Sequence, residues 1–286
     1  MAKLRKFAVR LLRSLPGTKA LGIARYWRDV DMIANADVVV ISFPKSGRTF
    51  VRTQLARLYQ LRFGIDERHL LSFGRLQKAP AEVPRIAFTH GGDAMRRPDE
   101  IRFDRQVFDG RKIVVLARHP GDTAVSRYFH LKHRSESPSR RKLADQPLDQ
   151  FVWIERGGIP SIVRYLNLWA ERSRERGDIL ILRYEDFIDR PEPTLSALAE
   201  FIGLDSSEED VRDAIEFARF DNLKAREREG YFSSGRMGAG RSGDESSFKV
   251  RSGRSGGFRA KLDEAGADRV RAYVSQHLDP SFGYTD

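Results

Sequence analysis

DVVVISFPKSGRTF, running from Asp37 to Phe50, decides the fold. Val38, Val39, Val40 and Ile41 are apolar without alternation. A strand with one wet face alternates, so an unbroken β-branched run reads as a strand buried on both faces, as in parallel sheets. Pro44 ends it. Lys45-Ser46-Gly47-Arg48 forms a tight loop, and Phe50, Val51, Leu55, Leu58 and Tyr59 follow at helical spacing. A helix start presents N–H groups and the positive end of the dipole, which together form an anion site. Gly47 lets the backbone approach a ligand closely, Lys45 places a cation inside the loop, and Thr49 adds a hydroxyl. Against the ordinary phosphate loop GxxxxGK[ST], Ser42 stands for the first glycine and Arg48 for the lysine, and the cation has moved to Lys45. The plainer alternative is a strand–turn–helix junction that binds nothing. It gives the lysine and glycine no packing purpose.

The same pattern recurs along the chain. Arg85-IAFTH is a second strand ending at His90. Arg111-KIVVLARHP is a third, stopped by a proline, with a helix from about Asp122. Asp178-ILILRYEDF is a fourth. Further helices read at Ile159 to Arg176, Glu192 to Gly203, Glu208 to Phe217 and Asp263 to Leu278. Strands alternating with helices predict a single α/β domain: a central parallel sheet with helices on both faces and a phosphate-binding strand–loop–helix. Residues 134–147 are polar and read as a mobile loop or insertion. Residues 226–257 are rich in Gly, Ser and Arg, cannot build a core, and read as a flexible lid.

Two motifs together carry a resemblance. PKSGRTF resembles the loop PKSGTTW that holds the 5′-phosphosulfate in the sulfotransferases that use 3′-phosphoadenosine 5′-phosphosulfate (PAPS). Leu116-ARHPGDTAVSRYF resembles that family's strand–proline turn–helix, whose Arg and Ser hold the 3′-phosphate. A third stretch, RSGRSGGFR from Arg251 to Arg259, is similar to the family's RKGxxGDWK. The resemblance covers about residues 37–262, in the family's order. It implies a donor site of Lys45, Ser46, Gly47, Arg48, Thr49, Phe50, Arg118 and Ser126, joined by Arg251, Ser252 and Gly253. Tyr184 and Phe220 match aromatics of the adenine pocket, and the plainer reading of both is core packing. Arg118 offers a planar fork suited to phosphate. Its plainer reading is a surface ion pair, and that of Ser126 is a serine on a helix surface.

His90 matches the catalytic histidine of a family KTH motif. Imidazole titrates near working pH, which suits a general base. Phe88 stands where the family often has lysine, so one cation is missing or supplied from elsewhere. Ser252, Gly257 and Phe258 replace the family's lysine, aspartate and tryptophan. The resemblance implies sulfuryl transfer to an acceptor hydroxyl or amine, with Lys45 on the leaving bridge oxygen, His90 as base, 3′-phosphoadenosine 5′-phosphate (PAP) as product and no metal.

Composition bounds the rest. The formal net charge is +11 over 286 residues, which implies an anionic partner without choosing one. The absence of cysteine excludes disulfides and thiolate chemistry. No apolar run approaches the roughly 20 residues of a membrane span, and a cytoplasmic protein is expected. The segment 1–36 carries a basic amphipathic helix (Leu4, Phe7, Ala8, Leu11, Leu12, Leu15), which either packs on the domain or lies on an anionic membrane. Acceptors compatible with the sequence are a glycolipid, a polysaccharide or a small alcohol. Two rivals differ in class. An ATP-dependent kinase would need a Walker lysine and a Mg²⁺-holding carboxylate, and the chain has Arg48 and Arg118 instead. A non-catalytic polyanion binder would use the basic 235–257 tract, but no nucleic acid partner is expected. A third possibility, suggested by Phe88 and the altered C-terminal motif, is a sulfotransferase fold that binds nucleotide without turnover.

Overall fold

The computed structural model describes residues 30–66, 76, 79–91, 94–102, 106–135, 137–232 and 256–284. The basic N-terminal helix expected before residue 30 lies outside them. So do Arg251, Ser252 and Gly253, and most of the expected lid.

Four strands form one parallel sheet: β1 (Val38–Ser42), β2 (Ile86–Thr89), β3 (Lys112–Ala117) and β4 (Ile179–Arg183), in the order β2-β1-β3-β4. Period-two alternation sends residues to opposite faces. Val39, Ile41, Ala87, Ile113 and Val115 enter one core. It is closed by helices α2 (Pro120–Arg134), α3 (Ile159–Glu175) and α7 (Glu264–His277). Val38, Val40, Phe88, Val114 and Leu116 enter the other. That core is covered by α1 (Arg48–Phe63), α4 (Pro191–Ile202) and α5 (Glu208–Phe217). Both faces are dry, which is why the strands read as unbroken apolar runs. A further helix, α6 (Phe220–Arg228), follows α5.

The order creates a switch point. The chain leaves β1 toward β2 on one side and resumes with β3 on the other. Ligands of open α/β sheets bind beyond the carboxyl ends of the strands at such a point. The register brings those ends level: Ile41 pairs with Thr89, Ser42 with Leu116 and Ala117 with Arg183. The next residues along each strand are the phosphate loop, His90, Arg118 and Tyr184.

Three expectations change. The helix after β3 begins at Pro120 rather than near Asp122. Proline has no N–H to lose there and its φ suits a first helical residue. Polar residues 134–147 are not one loop: Pro138–Arg141 is a helical turn and Lys142–Ala144 a 3-10 turn. Ala144 is buried with Tyr128, Leu131 and Phe151. The Gly/Ser/Arg-rich stretch is also shorter than its composition suggests, because α6 continues to Arg228 with Glu227 fully buried against Arg134 (3.4 Å).

Candidate active site

The phosphate loop is held in an uncommon backbone. Lys45 has φ +81°, the one non-glycine with positive φ among the described residues, and Gly47 has φ +82°. For a residue with a Cβ this region costs roughly 1–2 kcal/mol, and such strain persists where a site requires it. Left-handed residues flanking Ser46 curl successive N–H groups into a concave nest for an anion. Ser46 is buried and donates its N–H to Phe43 O (3.3 Å). Gly47 is also the N-cap of α1, so the first N–H groups of that helix, on Arg48 and Thr49, open into the same concavity. Thr49 O accepts from Thr53 Oγ1 (3.0 Å).

Gly47 meets a second constraint. A Cβ there would lie 2.1 Å from Tyr184 Cδ2. Tyr184 is therefore the wall behind the loop. Burial raises its phenol pKa, partly countered by Arg118. The Arg118 guanidinium lies 4.7 Å over its ring, and Phe50 meets the ring edge-on at 5.9 Å.

Arg118 ties the loop after β1 to the first turn of α2. Its Nη1 donates to Lys45 O (3.2 Å), and its Nη2 lies 3.7 Å from Asp122 Oδ2. Its side chain is 13 % exposed, so the surface ion pair read as its alternative does not describe it. Ser126 sits one turn past Asp122 on α2, half-buried. Phe220 opens α6, half-buried, and is not among the apolar clusters of the described residues.

His90, at the end of β2, stands between β1 and α1. Its Nδ1 contacts Ser42 O (2.7 Å) and its Nε2 contacts Arg48 Nη2 (2.8 Å). A carbonyl only accepts and a guanidinium only donates. Nδ1 therefore carries the hydrogen and Nε2 presents its lone pair. The Arg48 side chain thus meets the His90 imidazole at the end of β2. Tyr165 Oη contacts His90 O (3.4 Å), and Phe43 packs edge-on against Tyr165 (5.5 Å), giving this side aromatic walls. Phe88, two residues earlier on β2, is buried in the core beneath α1. The Arg52 guanidinium lies 4.0 Å over its ring.

Two groups carry no clear signal in the sequence. Asp122, 3 % exposed, accepts the N–H groups of Gly256 (2.8 Å) and Phe258 (2.9 Å). It thereby fixes the chain just past the Arg251–Gly253 motif to the helix start that follows Arg118. Phe258 stacks on His119 with centroids 4.6 Å apart, and a Cβ on Gly121 would come within 2.8 Å of its ring. Glu185, its carboxyl pushed up by burial, accepts from His119 N–H (3.0 Å) and Tyr284 Oη (2.7 Å), bracing the same turn. In the HPGD run Asp122 reads as an ordinary carboxylate in the first turn of a helix. Its partner Gly256 lies 134 residues on, so the contact is not readable from the run itself. Replacing Asp122 with alanine strands two N–H groups and the Arg118 charge. We expect a loss of about 3 kcal/mol in urea unfolding, at about 1.5 kcal/mol or more for each charged hydrogen bond. Asp122→Asn, which keeps one good acceptor, should lose about half as much.

The comparisons with known proteins agree with this fold. The model of the sulfotransferase domain family matches residues 35–282. A 3-alpha-hydroxysteroid sulfotransferase of Cavia porcellus is 24% identical over 221 residues, 72% of this chain and 72% of that protein. Cytosolic sulfotransferase 15 of Arabidopsis thaliana is 34% identical over 123 residues, 40% of this chain and 33% of that protein. Among solved structures, a retinol dehydratase with androsterone and the inactive cofactor PAP superposes with a TM-score of 0.58 at 19% identity. It covers 89% of this chain and 85% of that one. A mouse sulfotransferase complexed with PAP gives 0.56 at 16% identity, over 85% and 84%. The two structural likenesses show the shared fold, and the family match spans most of the chain, including residues 45–50 and 118–126. The chain belongs to the sulfotransferase domain family.

Proposed function

We propose that this enzyme moves a sulfuryl group from PAPS to the hydroxyl of a small, largely apolar acceptor. One observation carries the reading. The strand register sets the phosphate loop, His90 and Arg118 side by side across the switch point, with Arg118 bonded to the loop at Lys45 O. A nucleotide with anions at both its 5′ and 3′ ends needs two such devices. The Lys45 side chain and the backbone N–H groups of Ser46 to Phe50 would hold the 5′-phosphosulfate. Arg118 and Ser126 would hold the 3′-phosphate, joined by Arg251, Ser252 and Gly253 from outside the described residues. Tyr184 and Phe220 would border the adenine.

The acceptor oxygen attacks sulfur in line, and its proton passes to His90 Nε2. The bond from sulfur to the bridge oxygen breaks, and its electron pair stays on the 5′-phosphate of PAP, beside Lys45. The products are a sulfate monoester and PAP. As in phosphoryl transfer, such a loose transition state is stabilised by position and charge.

The acceptor class rests on two supports. The aromatic side near His90, with Phe43 and Tyr165, suits an apolar body. The retinol dehydratase structures contain androsterone and retinol, each a hydroxyl on an apolar frame. A cytoplasmic location is supported by the cytosolic relatives from Arabidopsis. Among the described residues no helix is long and apolar enough to cross a membrane.

The test is mass-spectrometric detection of sulfate esters, with PAPS and a panel of sterols, retinoid alcohols, phenols and sugars, in chelator. Transfer to the apolar alcohols supports the reading. Transfer to sugars alone overturns the acceptor class, and no transfer with any acceptor overturns the activity. In a parallel binding assay, Arg118→Ala should weaken PAP binding by roughly 1.5–3 kcal/mol, the worth of a charged hydrogen bond.

A further inference from the structure

We infer that Arg48 is a positioning residue for the acceptor-side base. It supplies the cation that the chain lacks at Phe88. The inference rests on the proposed transfer reaction. Arg48 follows Gly47 directly, so its side chain leaves the phosphate loop and ends 2.8 Å from His90 Nε2. It therefore spans the ground that a sulfuryl group crosses between donor and acceptor. With Ser42 O at Nδ1, it leaves one arrangement for the ring: hydrogen on Nδ1, lone pair on Nε2.

The neighbouring positions exclude the alternatives. Phe88 is a buried phenyl under α1 with the Arg52 guanidinium over its ring, and it offers the base no cation. Arg52, one turn along α1 from Arg48, is 3 % exposed and stacked on Phe88. Of these two arginines it is Arg48 that meets the imidazole.

The pair also orders events. The lone pair that must take the acceptor's proton is covered by Arg48 Nη2. An acceptor hydroxyl reaches Nε2 by displacing it, and the displaced guanidinium then lies beside the group in transfer. A permanent cation there complements the negative oxygens of that group. Lysine would keep the charge but lose the planar fork.

The test compares wild type with Arg48→Ala, Arg48→Met and Arg48→Lys. ¹⁵N NMR of the histidine rings, with His90 assigned through His90→Gln, reads the tautomer without donor or turnover. PAP calorimetry and steady-state kinetics follow. In the Ala and Met variants the His90 Nε2 resonance should move to that of an uncovered lone pair, or the ring should populate both tautomers. Their kcat should fall on the order of 10²-fold, the usual cost of one preorganised donor. PAP affinity should stay within about threefold, under 1 kcal/mol, and the lysine variant should recover part of kcat. Unchanged His90 resonances together with unchanged kcat would overturn the inference. So would a loss confined to PAP affinity, because Arg48 would then be a donor ligand. If wild type itself fails to bind PAP, the transfer reading falls, while the resonances still report whether Arg48 holds His90.

Discussion

Replacing His90 with alanine is expected to lower turnover by about 10²- to 10⁴-fold, the range for a positioned acid or base. PAP affinity should stay within about threefold, which is under 1 kcal/mol. The ring sits at the end of β2, across β1 from Arg118, and both its nitrogens are engaged by β1 and α1. Its proposed role as the base that takes the acceptor's proton predicts that kcat falls and donor binding persists. His90→Gln should fail like alanine, because an amide is too weak a base at any rotamer. Stopped-assay kinetics at saturating acceptor check this. Turnover in His90→Ala within about tenfold of wild type would remove it as the base.

Gly47→Ala should have the largest effect on the donor site. Two penalties meet at one atom. The backbone φ of +82° costs a residue with a Cβ roughly 1–2 kcal/mol. The new methyl would also lie 2.1 Å from the Tyr184 ring, which is braced by Phe50 and Arg118. The ring must move or the loop must unwind, and either displaces the nest. We expect a loss of about 3 kcal/mol of stability, in the range for overpacking plus strain, and loss of measurable PAP binding. Urea unfolding and calorimetry check it. The double substitution Gly47→Ala with Tyr184→Ala separates the penalties. It should cost less stability than the sum of the single changes, because removing the ring relieves the collision but not the dihedral strain. Simple additivity would show that the ring is not the wall we take it to be.

Much of this site is legible in the amino-acid sequence, because a parallel sheet writes its function at strand ends. Each apolar run stops abruptly, and a residue of the proposed site follows the stop: Lys45 within the loop, His90 after Thr89, Arg118 after Ala117. What the sequence hides lies between strands. Arg48 and His90 are 42 residues apart and meet only because β1 and β2 pair in this register. Asp122 and Phe258 meet across 136 residues, through a carboxylate that looks like an ordinary first-turn charge. Phe88 looks like a loss at the active site. It pairs with Val40 and is buried under α1, where the Arg52 guanidinium covers its ring. Composition misleads at 134–147, where the surrounding charges conceal Ala144, buried against Leu131 and Phe151.

The central claim, a donor site built for a nucleotide with a 3′-phosphate, is tested most directly by calorimetric titration of the purified chain with PAP, AMP and ATP, with and without Mg²⁺. PAP is predicted to bind without metal and more tightly than AMP, by at least the roughly 1.5 kcal/mol of one charged hydrogen bond to the 3′-phosphate. Tighter binding of ATP with Mg²⁺, or no preference for PAP over AMP, would contradict it.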